Sequence, residues 1–161
     1  MRSHYCGQVD SSLIGEKLAV VGWVHRRRDH GGVIFVDLRD REGMLQVVFD
    51  PDNSDMFIQA ERLRGEYVLA VNGILRARPD GTLNPELSTG EVELLAKELI
   101  VLNKSKTPPF HHDENPSEET RLRYRYLDLR REEMQRNLRL RHDVTKTIRS
   151  FLDASGFMEI E

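Results

Sequence analysis

The sequence is poor in cysteine and in long apolar runs. Cys6 is the only cysteine among 161 residues, which excludes an internal disulfide framework and a cysteine-based zinc site. The longest apolar runs, such as residues 33–36 and 99–102, are far shorter than the roughly 20 residues that a membrane-spanning helix needs. The composition therefore predicts a protein that does not cross a membrane.

An overall excess of positive charge is also missing, because the formal net charge is −3. The total charge therefore gives no indication of a nucleic-acid partner. Positive charge is concentrated locally, in arginines of the N-terminal hundred residues: Arg26, Arg27, Arg28, Arg39, Arg41, Arg76 and Arg78. Such a patch can bind phosphates although the sum is negative. The first ten residues contain no apolar segment of a signal peptide, so we expect a cytoplasmic location.

Short apolar segments separated by turn formers occupy residues 17–101. They predict five strands, at residues 18–26, 33–39, 44–49, 67–78 and 91–95, the last resuming at 99–101. A helix from Ser54 to about Leu63 is predicted between the third and fourth strands, because the apolar residues there follow helical spacing. This order is that of the mainly β, five-stranded OB-fold barrel, whose second and third strands form an oligonucleotide-binding face.

The composition changes after the predicted barrel. Residues 104–120 are rich in proline and polar residues, which is typical of a linker or hinge. We therefore predict an OB-fold domain at residues 1–103 and a separate segment at residues 121–161. The His111-His112-Asp113 tract lies in the linker, and without further ligands at metal-binding spacing we predict no metal site there.

The last segment has the periodicity of a helix. Its apolar residues recur at helical spacing from Glu132 to Ser155, and Gly156 is a suitable C-cap. We interpret the apolar stripe as core or interface rather than as a ligand site, and expect it to be frayed or paired with another copy. Residues 157–161 alternate as in a strand that has been cut short, so we interpret the chain as a fragment.

The alternation of side chains along a strand predicts which of them leave the core. In the second strand the even-numbered positions from Ile34 to Leu38 are apolar and should face the core. Phe35 and Asp37 then point away from it, which predicts an exposed aromatic ring. The same rule turns polar side chains of the later strands outward: Gln46, Arg76, Arg78 and Glu93.

An exposed aromatic ring beside an amide, a carboxylate and arginines can recognise unstacked bases. The ring stacks on a base, the polar groups read its edge, and arginines neutralise phosphates. Each feature alone is common on surfaces without a function. Together on one face of a barrel they favour binding of single-stranded nucleic acid, and the pattern alone goes no further than that.

Several strings of the sequence resemble bacterial aspartyl-tRNA synthetases and occur in the order of that family. They are "GWVHRRRDHGGVIFVDLRDREGMLQVVFD", "GILRARPDGTLNPELSTGEVELLA", "TRLRYRYLDLRREEM" and "GFMEIE". The string RYLDLRR, followed by a helix and GFMEIE, is similar to the class II synthetases for aspartate, asparagine and lysine. The run DLRDREG together with Glu93 favours the aspartate enzymes over the other two.

The resemblance implies an N-terminal OB-fold barrel that binds the anticodon of tRNA(Asp), then a hinge and a class II catalytic domain. The parent enzyme would aspartylate tRNA with ATP and magnesium and would act as a homodimer. The helix from Glu132 and the GFMEIE string match the first class II motif, at the dimer interface. The motifs that hold ATP would lie beyond Glu161, so no catalytic residue, cofactor or metal is expected in this fragment, and we expect it to be inactive.

The resemblance also implies roles for individual residues. Phe35 would stack on the middle anticodon base, a uracil, and Gln46 would hydrogen-bond to its edge. Arg28 would approach the third base and Glu93 the first. Contacts to the backbone or to nearby bases are implied for three more residues: Arg76, Arg78 and Asn84. A carboxylate suits the donor edge of guanine, and an amide can both donate and accept.

Two positions depart from the strictly aspartate-specific pattern. Such members tend to carry leucine at the position of His30 and a larger residue at the position of Gly81. The DHGG string instead resembles members that also charge tRNA(Asn). The two anticodons differ only at the third base, so these positions are candidate determinants of specificity for tRNA(Asp) against tRNA(Asn). A solvent-facing, neutral His30 is the alternative.

Two other classes of function remain open at this point. The first is a stand-alone OB-fold protein that binds single-stranded nucleic acid and has no enzymatic origin. The RYLDLRR and GFMEIE strings disfavour it, because a free binding protein has no need of such an appendage. The second is a dimerisation module that uses the apolar helix, which should self-associate without RNA.

Overall fold

The computed structural model describes residues 1–111 and 114–160. The chain divides into two compact units, Met1–Pro108 and Pro109–Glu161, and each is described by itself. His112 and Asp113 of the histidine tract lie outside the described residues, and so does Glu161 at the end of the predicted final strand.

The first unit is a closed barrel of five strands. They are β1 (Lys17–His30), β2 (Val33–Arg39), β3 (Met44–Phe49), β4 (Val68–Ala77) and β5 (Val92–Asn103). Their order around the barrel is β1-β2-β3-β5-β4, and β4 pairs again with β1. The β3–β5 pair is parallel, and the other four are antiparallel. The predicted mainly β OB fold is confirmed.

One helix lies between β3 and β4 in the chain, as predicted. This helix, α1 (Ser54–Glu61), begins after Asn53, whose side chain accepts a hydrogen bond from the backbone N–H of Met56. Such an N-cap satisfies a backbone donor that the first helical turn leaves free. Met56 and Ala60 pack into the same apolar core as the strands, so the helix contributes to the barrel interior.

An irregularity in β1 explains why alternation could not assign its arginines. Val24 pairs with Leu38 and Arg26 with Asp37, so His25 is an extra residue in a β-bulge. A bulge reverses the inside and outside positions along the rest of a strand. Val24 is fully buried, whereas Trp23 is only partly buried, and Arg26 is returned to the outer face.

A second bulge explains the gap that alternation left in β5. The predicted strand is broken at residues 96–98, whereas the structure has one continuous strand through them. Asn72 of β4 pairs with Glu98 and Gly73 with Ala96, which leaves Lys97 as the extra residue. Two exposed residues in succession, Lys97 and Glu98, therefore interrupt the alternation without ending the strand.

The turn between β1 and β2 consists of Gly31 and Gly32 alone. Their φ angles are +62° and +84°, values that favour glycine, and two successive residues with positive φ form the hairpin turn that matches strand twist. Because the turn is so short, β1 continues to His30. The predicted end of β1 at Arg26 is wrong, and Arg28 and His30 belong to the strand.

Three helices are described in the second unit, within residues 109–111 and 114–160. These are α2 (Glu118–Arg123), α3 (Arg125–Asp128) and α4 (Glu132–Ala154). The sequence indicated only α4, and helix α2 begins inside the stretch interpreted as linker. Ser117 caps it by accepting a hydrogen bond from the backbone N–H of Thr120.

Asp128 is the central residue of the short helices. Its buried carboxylate accepts hydrogen bonds from Arg121 at 3.0 Å, Arg125 at 2.7 Å and Arg131 at 3.4 Å. Burial alone would raise its pKa, but the hydrogen bonds from Arg121 and Arg131 and the charges of Arg121 and Arg125 hold the pKa of Asp128 below its ordinary value. The RYLDLRR string thus has a structural function around one carboxylate.

Helix α4 is formed along its whole length, and none of its residues is buried. Fraying of this helix, or its pairing with another copy, stays a prediction. Apolar residues of its stripe are exposed, among them Leu138, Val144, Ile148 and Phe151. Residues 157–160, expected to be a strand, form none in the described part of the chain. None of the helices described at residues 1–111 and 114–160 is long and apolar enough to span a membrane.

Candidate nucleic-acid interface

Five polar side chains form a hydrogen-bonded row on the outer face of the barrel, one from each strand. We call this row the outer-face network; its members in order across the strands are Arg28, Asp37, Gln46, Glu93 and Arg76. Alternation explains the location, because these side chains point away from the core that their neighbours fill. Alternation predicted this outer face for Asp37, Gln46, Glu93 and Arg76. The family resemblance selected Arg28, Gln46, Glu93 and Arg76 as site residues.

The Glu93 carboxylate lies between Gln46 and Arg76 in the outer-face network. Gln46 Nε2 donates to Glu93 Oε2 at 2.8 Å, and Arg76 Nε donates to Glu93 Oε1 at 2.8 Å. The Glu93 side chain is only 1% exposed, whereas that of Arg76 is 43% exposed. A buried carboxylate is costly unless it is paired, and here one guanidinium and one amide satisfy it.

Arg28 lies at one end of the network. Its Nη2 atom donates to Asp37 Oδ1 at 2.5 Å and to Gln46 Oε1 at 3.2 Å. Arg28 Nε is buried and has no hydrogen-bond partner among the described residues. A buried donor without a partner is uncommon and costs free energy, so this end of the network retains an unused donor.

Three of the side chains that alternation predicted to point outward are buried, although we expected them to be exposed. Gln46 is 6% exposed, Glu93 1% and Arg78 7%. They lie on the outer face, as alternation predicts, but alternation along one strand says nothing about side chains that arrive from the next strand. Phe35 is likewise only partly exposed, so its ring is a half-buried platform.

Arg78 lies beyond the end of β4 and does not join the hydrogen-bonded row. Its Nε donates to the carbonyl oxygen of Val92 at 3.1 Å and its Nη1 to that of Thr82 at 3.4 Å, and its Nη2 is buried without a partner among the described residues. Burial lowers the pKa of Arg78, opposed by the charges of Glu93 and Asp37. Arg78 therefore interacts through its charge with members of the outer-face network, although it forms no hydrogen bond in the row.

Phe35 is adjacent to one end of the network. It pairs across the β1–β2 ladder with Arg28 and across the β2–β3 ladder with Val48. Its ring centroid is 6.3 Å from that of His30 at an interplanar angle of 57°. The structure therefore brings the aromatic platform next to the guanidinium end, and it places the exposed His30 at the rim of that platform.

Asn84 and Gly81 lie in the loop between β4 and β5, apart from the network. Asn84 Oδ1 accepts a hydrogen bond from the backbone N–H of Glu86 at 3.1 Å, which shapes the loop. Gly81 has a φ of +80°, so a larger residue there would be strained in this conformation. Neither forms a hydrogen bond or ion pair with another predicted site residue in the described part of the chain.

The three successive arginines of β1 point to different environments. Arg27 Nε donates to the carbonyl oxygen of Ala60 in the last turn of α1 at 3.2 Å, and Arg28 belongs to the network. Arg26 is exposed on the outer face. Of the three, Arg26 is thus the one that is open for a phosphate contact.

Asp37 is the network member that was not selected as a site residue. Its outward direction was predicted from the alternation of β2. Its importance depends on facing Arg28 and Gln46, which is a property of strand register: Asp37 pairs directly with Gln46. The sequence did contain a signal for Asp37, because an outward-pointing carboxylate stood in the chain between the selected residues Phe35 and Gln46.

Two family models match the chain. The model described as "OB-fold nucleic acid binding domain" matches residues 18–102. The model described as "tRNA synthetases class II (D, K and N)" matches residues 117–161. The first match covers the barrel, and the second covers helices α2 to α4.

Solved structures of synthetases have the same fold. An asparaginyl-tRNA synthetase from Pyrococcus horikoshii complexed with asparaginyl-adenylate is 26% identical, with a TM-score of 0.86 over 100% of this chain and 36% of that chain. An asparaginyl-tRNA synthetase from Entamoeba histolytica in complex with asparaginyl-adenylate is 25% identical, with a TM-score of 0.74 over 98% of this chain and 37% of that one. An aspartyl-tRNA synthetase from Entamoeba histolytica, at 19% identity and a TM-score of 0.86 over 94% and 37%, shares the fold. The chain therefore spans less than two fifths of these relatives.

Proposed function

This chain belongs to the family of OB-fold nucleic acid binding domains, joined to a segment of the class II tRNA synthetases for aspartate, asparagine and lysine, and on that premise we propose that it recognises the anticodon of tRNA(Asp). The parent protein would be an aspartate-tRNA ligase of the bacterial type. The observation that carries the proposal is the outer-face network beside the Phe35 ring.

The chemistry of the network suits an anticodon loop. Phe35 offers a ring face on which an unstacked base can stack. Gln46 has its oxygen towards Arg28 and its nitrogen towards Glu93, so its amide can offer both an acceptor and a donor to the edge of uracil. In this proposal the middle base of the anticodon lies on Phe35 and pairs with Gln46.

Arg28 and Glu93, which contact the Gln46 amide from opposite sides, are assigned to the flanking bases. Glu93 can accept from the N1 and N2 donors of guanine at the first position. Arg28, with Nε unpaired, is assigned to the third position. Arg76, Arg78 and Asn84 are assigned to the RNA backbone and to bases nearby.

The activity of the whole enzyme belongs to the proposal. The parent would join aspartate to tRNA with ATP and magnesium, as a homodimer in the cytoplasm. Among the described residues, no three His, Cys, Asp or Glu side chains form a group that could hold a metal ion.

A second part of the proposal concerns tRNA(Asn). Its anticodon, GUU, differs from GUC only at the third base. His30 lies at the rim of the Phe35 platform and is exposed, and Gly81 lies in the loop between β4 and β5. We assign relaxed recognition of the third base to these two positions, so that the chain binds GUU as well as GUC.

Titration with RNA stem-loops tests the proposal. Loops carrying GUC, GUU and GCC would be titrated with the 161-residue chain by fluorescence anisotropy at two salt concentrations. The proposal predicts tight binding of GUC and GUU and loss of affinity for GCC. Binding of all three loops alike, with affinity set by salt alone, would reject anticodon recognition and favour a stand-alone binder of single strands.

The His30→Leu variant tests the second part separately. If His30 relaxes recognition of the third base, the variant should bind GUU more weakly than GUC, while wild-type protein binds both. Gln8→Leu, a substitution at an exposed position of the same unit, is the control. An unchanged ratio in His30→Leu would leave the middle-base assignment intact and reject His30 as the determinant.

A further inference from the structure

Asp37 lies between Arg28 and Gln46, which the proposed function assigns to the third and the middle base. It pairs with Gln46 in the β2–β3 register, and its Oδ1 atom accepts a hydrogen bond from Arg28 Nη2 at 2.5 Å. Its side chain is 15% exposed. Most of the Asp37 carboxylate is thus covered and has a fixed partner.

The same guanidinium nitrogen also reaches the Gln46 amide. Arg28 Nη2 donates to Gln46 Oε1 at 3.2 Å, and Gln46 Nε2 donates to Glu93 Oε2 at 2.8 Å. Rotating the amide by half a turn would place its N–H groups against the guanidinium and its oxygen against the carboxylate. Both contacts would then be repulsive, so the Gln46 amide has one favourable orientation.

That orientation depends on where Arg28 is held. Among the described residues, Asp37 is the only carboxylate that forms an ion pair with Arg28. Without it, the long side chain has only the weaker contact to Gln46, and it gains freedom to turn towards solvent or towards a phosphate. The Gln46 amide would lose the charge that keeps its oxygen on this side.

Asp37 also limits the positive charge of the region. Three arginines, Arg28, Arg76 and Arg78, lie here with two carboxylates, Asp37 and Glu93. The excess is one positive charge, and removal of Asp37 would double it. A larger excess strengthens attraction to any RNA backbone and does so without reading a base.

We propose that Asp37 is a positioning residue for base discrimination: by holding Arg28 against Gln46 Oε1, it fixes the direction in which the Gln46 amide meets a base. This inference rests on the proposed function. It assigns to Asp37 no contact with RNA. Its removal therefore lowers selectivity while leaving the attraction to RNA undiminished.

The test compares Asp37→Ala and Asp37→Asn with wild-type protein in the complete chain. Asp37→Asn keeps the shape and one acceptor oxygen but removes the charge. The matched control is Glu98→Gln, which removes one exposed carboxylate of β5, the strand that carries Glu93, outside the network. Each protein is titrated with GUC and GCC stem-loops at low and high salt, after urea unfolding has established that it is folded.

The expected result is a change in selectivity. Asp37→Ala should reduce the GUC-to-GCC affinity ratio by about tenfold and Asp37→Asn by at least about threefold, while the affinity for GCC at low salt stays equal or rises. Glu98→Gln should keep the wild-type ratio. If Asp37→Ala does not fold, the isosteric Asp37→Asn decides.

Two failures can be told apart. A wild-type protein that binds GUC and GCC alike rejects the proposed function itself. A wild-type protein that discriminates, with both Asp37 variants discriminating equally well, overturns the inference about Asp37 alone. A fall in affinity for both loops by the same factor would also overturn it, because it would indicate a direct contact or a loss of structure.

Discussion

Gln46 and Glu93 are 47 positions apart in the chain, yet Gln46 Nε2 donates a 2.8 Å hydrogen bond to Glu93 Oε2. The parallel pairing of β3 with β5 makes this possible, because Val47 pairs with Leu94 and Val48 with Leu95. The hydrogen bond lies just beside this parallel pairing of β3 with β5. The proposed base-reading amide is therefore oriented only once the barrel has formed.

Replacing Glu93 should affect both stability and binding. Glu93→Gln leaves Arg76 without its carboxylate and changes the partner of the Gln46 amide, so we expect a loss of about 1–3 kcal/mol in the free energy of unfolding. We also expect weaker binding of loops with guanine at the first position. Urea unfolding and anisotropy titration measure the two effects, with Glu98→Gln as the control. A variant as stable as the control would contradict the pairing described here.

Replacing Phe35 should affect binding more than folding. Its ring is half-buried on the outer face and does not belong to the core. In the proposed function, Phe35→Ala loses roughly 1–3 kcal/mol of binding free energy to the GUC loop. Because stacking is not an ionic contact, the slope of affinity against salt should stay the same. A changed slope with unchanged affinity at low salt would contradict a stacking function.

Cys6 should be unreactive in the folded protein. Burial, followed by the charge of the nearby Asp40 carboxylate, raises the pKa of the Cys6 thiol, and the thiolate is the reactive form. A chromogenic disulfide reagent at neutral pH should therefore react slowly with native protein and rapidly in denaturant. Rapid reaction of one thiol per chain without denaturant would show that Cys6 is accessible in the native state.

Asp128 should make the helical segment sensitive to acid. Its folded-state pKa lies below its ordinary value, so its stabilising contribution is complete above the unfolded-state pKa of about 4 and is lost as the pH falls through the lower folded-state value. Asp128→Asn should therefore be less stable than wild type at neutral pH, and the difference should shrink below about pH 4. Far-UV circular dichroism during urea unfolding measures this difference. A deficit that is constant with pH would contradict a charged Asp128.

Regular alternation allowed much of the barrel to be predicted from the sequence. The bounds of β2 and β3 were predicted to the residue, because their mutual register contains no bulge and both strands lie between glycine-containing or aspartate-containing turns. In β1 and β5 a bulge changes the alternation, and the predicted bounds there are wrong. A bulge depends on which residues of the neighbouring strand lie opposite. The sequence of one strand alone does not contain this information.

The sequence predicted the direction in which the side chains of the candidate site point, but not how deeply they are buried. Alternation turned Gln46 and Glu93 to the outer face, and they lie there. Their burial results from side chains of neighbouring strands, such as Arg28 and Arg76, whose positions depend on register across the barrel. Helices α2 and α3 were missed because they are short and polar, and their organising contact is a single carboxylate, Asp128.

In the proposed function the outer-face network reads the middle base of an anticodon, and a two-by-two binding cycle tests this reading. Wild-type protein and Gln46→Ala would each be titrated with GUC and GCC stem-loops, which differ only in that base. The account predicts that wild type prefers GUC by about tenfold or more and that Gln46→Ala loses most of this preference, giving a coupling free energy of about 1 kcal/mol or more. Equal preference in the two proteins would contradict the account, because the network would then read no base.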